Sequence, residues 1–257
     1  MTFLTRVIGI VSGKGGVGKT TLVANIGAAL ATEYKTNVTI VDCNISTSHL
    51  GLYLGMYYSP VTINKVLTGE ARIDDSVYEH FTGMKIVPAS LSLKDLSGVD
   101  VYGLKNAIKE LHGKTDIIIL DAAPGLGREA LSAIRASDEV LFVTTPFVPA
   151  VMDIVKMKRL VDEMNVKING IVLNMVKKEK YELSKDDVEK LAEIPVISVI
   201  PDDKSVPRSL SAKAPTVVLY PNSPASKEFK SLAAMLIGEY YEHKSPISRF
   251  FGKIKFW

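Results

Sequence analysis

A glycine-rich segment near the start of the chain constrains the fold more than any other feature. Residues 13–20 follow an apolar run and precede a helical pattern of apolar residues. This strand–loop–helix setting is the one that a phosphate-binding loop requires. Glycines let backbone N–H groups approach an anion closely, and the positive end of the helix dipole adds to the attraction. A glycine-rich turn without a ligand is the alternative, and the combination of glycines with Lys19 and Thr20 makes it the weaker one.

The side chains of this loop have separate expected roles. Lys19 should reach the β- and γ-phosphates of a nucleotide, and the Thr20 hydroxyl should bind Mg²⁺. Cofactor contacts are expected along the whole segment: Gly13, Lys14, Gly15, Gly16, Val17, Gly18, Lys19, Thr20 and Thr21.

Lys14 is a second lysine that an ordinary phosphate-binding loop does not need. The run of residues 14–21 resembles the deviant Walker A motif of the MinD/ParA family of ATPases. In that family the extra lysine reaches across a dimer interface to the ATP of the partner. The resemblance therefore implies ATP as the nucleotide, catalytic roles for Lys14 and Lys19, and an ATP-dependent homodimer.

Two aspartates stand at the ends of apolar strands. Asp121 follows residues 117–120 in a Walker B arrangement, in which the carboxylate orients Mg²⁺ directly or through water. A turn or capping aspartate is the alternative, but the loop favours the metal. Asp42 matches the first aspartate of the family's Asp-x-Asp motif, and this match implies a catalytic role for Asp42 besides its support of the metal. Residues 121–131 are similar to the switch II region of archaeal MinD-like proteins. The expected metal set is Thr20, Asp42 and Asp121.

Asn44 departs from the family pattern. The second aspartate of the Asp-x-Asp motif positions the attacking water in the family, and Asn44 stands in its place. An amide can hydrogen-bond to water but cannot accept a proton as a carboxylate does. Because phosphoryl transfer depends mostly on positioning and electrostatics, we expect slowed hydrolysis with Asn44 at the catalytic position. A switch that holds ATP and is nearly inert is the alternative.

Base recognition rests on the resemblance alone. The family reads adenine with an asparagine after a late strand, a place that Asn174 occupies. It also uses the backbone of a loop that matches Pro201, Asp202 and Asp203. A turn-forming asparagine is the alternative for Asn174. Asp153 matches a family position near the signature lysine, although acids are also common near helix N-termini.

Strands alternate with helices along the chain, and several strands are continuous apolar runs. Such runs are typical of parallel strands covered on both faces by helices. We predict an α/β fold with a doubly wound, mostly parallel sheet of the P-loop NTPase type, in one domain of residues 1–244. Residues 217–219 are expected to be extended and residues 223–241 to form the last long helix. Ligands of such sheets bind at the carboxyl ends of the strands, where the loop, Asp42 and Asp121 would meet.

The net charge of +3 is located in a C-terminal tail, residues 245–257. The tail contains three basic residues and no acid, so the other 28 basic and 28 acidic side chains cancel. On a helix, five of its large apolar residues share an arc of about 120° opposite the basic ones, and only Phe256 falls outside this arc. This pattern is typical of an interfacial membrane helix, and packing against the chain's own body is the alternative. The expected membrane contacts are Ile247, Phe250, Phe251, Ile254 and Trp257, with Arg249, Lys253 and Lys255 on anionic lipid.

Composition narrows the remaining classes of function. A single cysteine, Cys43, excludes an internal disulfide and disfavours a reductase with an iron–sulfur cluster. Because the charges of residues 1–244 cancel, the sequence argues against a broad basic surface that binds nucleic acid. No signal-peptide pattern or long apolar run occurs, so we expect a cytoplasmic protein on the inner face of the membrane. The resemblance and the tail together indicate a MinD-like ATPase that positions a partner protein. A ParA-like DNA-partitioning ATPase and a scaffold without hydrolysis are the rivals.

Overall fold

The computed structural model describes residues 5–241, and its eight strands form one sheet. The strands are β1 (Arg6–Val11), β2 (Val38–Cys43), β3 (Tyr78–Glu79), β4 (Lys85–Val87), β5 (Ile117–Ala122), β6 (Glu139–Thr144), β7 (Lys167–Val176) and β8 (Val196–Pro201). Their order is β3-β4-β2-β5-β1-β6-β7-β8. Every neighbouring pair is parallel except β3 and β4, which are antiparallel at one edge. The predicted mostly parallel sheet is confirmed.

Helices connect the strands and cover both faces of the sheet. They are α1 (Lys19–Glu33), α2 (Leu50–Tyr53), α3 (Ile63–Leu67), α4 (Leu104–Lys109), α5 (Arg128–Ala136), α6 (Val148–Glu163), α7 (Lys185–Ala192), α8 (Ser205–Ser211), α9 (Thr216–Leu219) and α10 (Pro224–Leu236). Short 3₁₀ turns occupy Ile73–Ser76, Leu93–Leu96 and Val101–Gly103.

The core lies in two layers, one on each face of the sheet. Along β1, Val7 and Val11 belong to the layer that contains apolar residues of α3 to α7, whereas Ile8 and Ile10 belong to the layer of α1 and α10. Successive side chains of a strand point to opposite faces, so a strand buried on both faces needs apolar residues throughout. The continuous apolar runs in the sequence therefore follow from the double layer.

β1 lies between β5 and β6, and the strands that follow along the chain are added on one side of β1 and then on the other. Such a switch point leaves a crevice beyond the carboxyl ends of the central strands. The glycine-rich loop begins at the carboxyl end of β1, and β2 and β5 end on the same edge. The topology thus brings three separate sequence motifs to one place.

Two local predictions near the C-terminus are wrong. Residues 217–219 are not extended, since they belong to the short helix α9. The last helix ends at Leu236 rather than at residue 241. Gly238 adopts a left-handed φ of +74°, and the N–H of Glu239 donates to the carbonyl of Ala234 at 2.9 Å. This is the usual glycine stop of a helix, and it overrides the helical pattern that continues beyond it.

Candidate functional site

The glycine-rich loop joins β1 to α1 at the switch point, as predicted. Gly16 and Gly18 hold left-handed φ angles of +80° and +88°, which residues with a Cβ rarely adopt. The loop borders a cavity of about 220 Å³. The predicted site residues that line this cavity are Lys14, Gly15, Gly16, Val17, Gly18, Lys19, Thr20, Thr21 and Asn44.

Gly13 supports the loop from outside this cavity. A Cβ atom on Gly13 would lie 2.3 Å from the Cβ of Asp153 on α6, closer than real Cβ contacts come. The close approach of α6 therefore requires glycine at this position. Asp153 itself forms an ion pair with Lys156 at 3.5 Å. Packing against the loop explains both residues without a ligand, so the functional role of Asp153 stays a prediction.

Asn174 anchors the other side of the loop. Its side-chain Nδ2 donates to the carbonyl of Val17 at 2.8 Å, and Asn174 is buried. A Cβ on Gly18 would lie 2.2 Å from the same Nδ2. Gly18 is thus required both by its backbone conformation and by the approach of Asn174. A loop anchor at the end of β7 is a role that the sequence does not indicate.

Two buried carboxylates lie side by side below the loop. Asp42 on β2 and Asp121 on β5 are direct partners in the strand register, and both are almost fully buried. Lys19 Nζ lies 3.0 Å from Asp121 Oδ1, and this ion pair is buried as well. The sequence predicted that the loop, Asp42 and Asp121 meet at this edge of the sheet, and the structure brings them together there.

Hydrogen bonds hold Asp42 in place. One carboxylate oxygen accepts from the N–H of Asn44 at 3.0 Å, and the other accepts from Ser48 Oγ at 2.7 Å and from the N–H of Leu50 at 3.3 Å. Burial, together with the neighbouring Asp121, nevertheless raises the pKa of Asp42 to about 7. Two acids beside one lysine leave an excess of negative charge, which a bound cation would neutralise.

A second cavity, of about 300 Å³, continues from the loop. Gly16, Gly18, Thr21 and Tyr53 line both cavities. Residues from β7, β8, α8, α10 and the loop after β8 complete its walls. The predicted base-binding residues are all among them: Asn174, Pro201 and Asp202. The two cavities therefore adjoin each other beside the loop. We call them the phosphate cavity and the base cavity, after the parts of a nucleotide that the sequence predicts for their lining residues.

Comparison with known proteins identifies the family. The ParA family profile, described as the NUBPL iron-transfer P-loop NTPase, matches residues 4–237. The chain belongs to the MinD/ParA family of P-loop NTPases. The resemblance of residues 14–21 is thereby confirmed.

Members of this family resemble the chain over nearly its whole length. An uncharacterised ATP-binding protein of Methanocaldococcus jannaschii is 36% identical over 242 residues, which are 94% of this chain and 91% of that protein. The septum site-determining protein MinD of Pyrococcus horikoshii, solved with Mg-ADP, has a TM-score of 0.86 and 30% identity over 97% of this chain and 100% of its own. MinD in the MinC:MinD complex of Aquifex aeolicus has a TM-score of 0.82 and 28% identity over 93% of this chain and 99% of its own.

Asn44, the departure from the family motif, is engaged in a turn. Its Nδ2 donates to the carbonyl of Thr47 at 2.6 Å, and its Oδ1 accepts from the Thr47 hydroxyl at 2.9 Å. Both ends of the amide are therefore occupied by one residue, although Asn44 lines the phosphate cavity. A side chain held in this way is less available to orient a water molecule.

Lys14, the signature lysine of the family, lies on the rim of the phosphate cavity. It is exposed, and among residues 5–241 no acid lies within ion-pair distance of its ammonium group. Lys19 differs, since its ammonium group is buried against Asp121. The two lysines of the loop thus face different surroundings.

Several residues of the site were missed by the sequence reasoning. Thr47, His49 and Tyr53 line the phosphate cavity, and Met175 lines the base cavity. Asp203 also lines the base cavity, and it belongs to the loop that the sequence matched to the adenine site of the family. Burial alone would raise the pKa of Asp203, but hydrogen bonds from the N–H groups of Ala225 and Ser205 lower it below the usual range. No local motif marks Thr47, His49, Tyr53 or Met175, whereas the position of Asp203 shortly before a helix is also typical of a capping residue.

The predicted membrane contacts lie outside the described residues. They are Ile247, Phe250, Phe251, Ile254, Trp257, Arg249, Lys253 and Lys255. Within residues 5–241, no helix has the length and apolar character needed to cross a membrane.

Proposed function

We propose that the protein is a MinD-like ATPase that binds ATP with Mg²⁺, dimerises around the nucleotide and associates reversibly with the membrane to position a partner protein. The observation that carries this proposal is the meeting of the phosphate loop with the buried pair Asp42 and Asp121. When both aspartates are ionised, the pair carries one negative charge more than Lys19 offsets, which favours a bound cation. The loop favours an anion. A nucleotide with its metal supplies both in one ligand.

The residues of the site fit this ligand. The N–H groups of the loop and Lys19 would hold the phosphates, and Thr20 and the two aspartates would hold Mg²⁺. Among residues 5–241, no three His, Cys, Asp or Glu side chains form a metal site by themselves. That is expected for Mg²⁺, which usually keeps water and phosphate oxygens as ligands. When bound, the metal would offset negative charge on the transferring phosphate.

The exposed position of Lys14 supports dimerisation around the nucleotide. A cation on the rim of its own cavity is free to reach the phosphates of a second copy. Light scattering of the Lys14→Ala protein with ATP tests this role. We expect ATP binding by a monomer, and an ATP-dependent dimer of this variant would contradict a role of Lys14 across the interface.

The membrane role rests on the C-terminal tail. A segment as short as residues 247–257 is barely stable as a helix in water, so it must fold as it binds lipid. One tail should therefore bind lipid weakly. Two tails in one dimer gain avidity of about 10²–10⁴ without new contacts. ATP would therefore favour membrane binding by building the dimer, and hydrolysis would release it.

Sedimentation with anionic liposomes tests the tail directly. We expect the intact protein to sediment with ATP and much less with ADP. Deletion of residues 247–257 should abolish sedimentation and leave ATP binding unchanged. Sedimentation of the truncated protein with ATP would refute the anchor.

Three other functions are weaker candidates. A ParA-like DNA-partitioning ATPase would shift nonspecific DNA in an ATP-dependent and salt-sensitive way. A scaffold without hydrolysis is favoured by the occupied amide of Asn44, and it predicts stable membrane-bound dimers without turnover. Iron transfer, named in the family description, requires thiolate ligands. The chain has one cysteine, and burial raises the pKa of the Cys43 thiol well above its usual value.

A further inference from the structure

Tyr53 lies where the phosphate cavity and the base cavity adjoin. Among residues 5–241, four residues line both cavities: Gly16, Gly18, Thr21 and Tyr53. The first three belong to the glycine-rich loop and the first turn of α1, whereas Tyr53 comes from α2, a different segment of the chain. In a nucleotide the sugar connects the phosphates to the base. The place where the two cavities adjoin is therefore the place for a sugar.

The backbone of Tyr53 is held in position through α2. The N–H of Leu50, the first residue of this helix, donates to Asp42 Oδ2 at 3.3 Å, and Leu50 is fully buried. After the helix, the N–H of Met56 donates to the carbonyl of Gly51 at 2.8 Å. A Cβ atom on Gly51 would lie 3.1 Å from the carbonyl oxygen of Met56, so the turn packs closely on the helix. The short helix is thus fixed at both ends beside the loop.

The side chain of Tyr53 is available for a ligand. It is partly exposed, and among residues 5–241 no hydrogen bond occupies its hydroxyl. Its ring lies 6.3 Å from the ring of His49, which lines the phosphate cavity as well. Tyrosine combines an apolar ring with one hydroxyl that can donate and accept. A ribose offers the matching groups, since it has C–H surfaces and two hydroxyls.

We propose that Tyr53 contacts the ribose of the bound nucleotide, with its hydroxyl hydrogen-bonded to a ribose hydroxyl and its ring packed on the sugar. This assignment rests on the proposed ATPase function, because it concerns the same ligand. Phosphates held by the loop and a base beside Asn174 leave the sugar next to Gly16 and Gly18, where Tyr53 lies. Tyr53 thereby discriminates ribonucleotides from nucleotides without ribose hydroxyls.

The exposure of Tyr53 sets the size of this discrimination. A buried site that hydrogen-bonds a substrate hydroxyl rejects the analogue without it by about 10⁴–10⁵-fold, because its polar groups are left unpaired. The hydroxyl of a partly exposed tyrosine can bond to water instead when the ribose hydroxyl is missing. We therefore expect discrimination of about fivefold, which is the net contribution of one ordinary hydrogen bond.

Titration calorimetry of the full-length protein in Mg²⁺, with ATP and with 2′,3′-dideoxy-ATP, tests the hydrogen bond. We expect the unmodified protein to bind ATP about fivefold more tightly than the dideoxy analogue. Tyr53→Phe removes only the hydroxyl, so it should weaken ATP binding about fivefold and leave binding of the analogue unchanged. Equal losses for the two nucleotides, or no loss for either, would overturn the contact with the ribose hydroxyl.

Tyr53→Leu tests the contact between the ring and the sugar. Loss of the flat ring should weaken binding of the dideoxy analogue about threefold relative to Tyr53→Phe. Inorganic tripolyphosphate has neither sugar nor base, so it should bind equally to the unmodified protein and to both variants. Weaker binding of tripolyphosphate by the variants would show that they disturb the phosphate cavity, and it would overturn the assignment of Tyr53 to the sugar.

Tyr58→Phe is the matched control. Tyr58 follows α2 in the same segment, is 84% exposed and lines neither the phosphate cavity nor the base cavity. This variant should bind ATP and the dideoxy analogue as the unmodified protein does, and a loss equal to that of Tyr53→Phe would contradict a specific role of Tyr53. ATP binding that Tyr53→Phe leaves unchanged would overturn the sugar contact alone. Absence of ATP binding by the unmodified protein would contradict the proposed function and the sugar contact with it.

Discussion

The phosphate end and the base end of the nucleotide site are built in different ways. At the phosphate end, one contiguous segment supplies most of the lining, and Lys19 is fixed by a buried ion pair with Asp121. At the base end, residues of β7, β8, α8 and α10 converge from distant parts of the chain. Asn174 belongs to both ends, since it lines the base cavity and donates to Val17 of the loop.

The shape of the phosphate end is therefore set mainly by the backbone, whereas the shape of the base end is set by side chains. The phosphate end depends on glycine conformations and a buried charge pair, so few substitutions are tolerated there. The base end depends on walls that several residues share. Substitutions should therefore reduce ATP affinity most at the phosphate end and less at the shared Asn174. They should reduce it least at residues that only line the base cavity.

Lys19→Ala should have the largest effect. The substitution removes the contact to phosphate and leaves Asp121 buried without its cation next to Asp42. Breaking a buried pair in this way costs about 3–5 kcal/mol of stability. We expect loss of ATP binding by calorimetry and a clearly lower denaturation midpoint.

Lys14→Ala is the matched control for this prediction. Lys14 belongs to the same loop but is exposed, so its removal should leave the denaturation midpoint of the nucleotide-free protein unchanged. Equal destabilisation by both substitutions would show that the buried pair does not hold the phosphate end together.

Asn174→Ala should weaken ATP binding by about 10–100-fold, because it removes the hydrogen bond that anchors the loop at Val17 and leaves a buried carbonyl unpaired. Met175→Ala changes only a wall of the base cavity and should cost much less. Calorimetry with ATP and GTP separates the two roles of Asn174. An equal loss for both nucleotides indicates a loop anchor alone, whereas a larger loss for ATP indicates adenine recognition. Equal losses of ATP affinity in Asn174→Ala and Met175→Ala would contradict the difference between the phosphate end and the base end.

The same difference explains how much the sequence reveals. The meeting of Lys19, Asp42 and Asp121 was predictable because each belongs to a motif with a fixed place in the fold. Lys19 begins the helix after the glycine-rich loop, and the two aspartates lie near strand ends. The base cavity depends on how β7, β8 and α8 pack, and Met175 carries no local motif. The anchoring role of Asn174 depends on a contact across 157 positions of sequence. The end of α10 was a different error, since Gly238 was a readable stop signal.

Asn44→Asp should accelerate phosphate release about fivefold, because a carboxylate can orient and activate water. The substitution also removes the donor to the Thr47 carbonyl and so frees the side chain from its turn. Thr47→Val is the control, since it frees one end of the Asn44 amide without adding charge. An unchanged rate in the aspartate variant would refute the role assigned to position 44.

The smallest predicted effect is on the pH dependence of stability. The pKa of Asp42 is about 7 in the folded protein and lies near 3.8 in its unperturbed form, so the folded state binds the extra proton between these values. The contribution of Asp42 to stability is therefore lost as pH rises. We expect the nucleotide-free protein to lose about 1 kcal/mol of unfolding free energy from pH 6 to pH 8. Denaturation with saturating ATP and Mg²⁺ should not show this loss, and an increase of stability with pH in the nucleotide-free protein would contradict it.

Titration calorimetry of the full-length protein with ATP at pH 8, with Mg²⁺ and with EDTA, tests the nucleotide site most directly. Without a cation, the charge of Asp42 and Asp121 opposes the triphosphate, so Mg²⁺ should strengthen ATP binding at least about tenfold. Equal ATP affinities in Mg²⁺ and in EDTA, or no ATP binding in either, would contradict the joint site for nucleotide and metal.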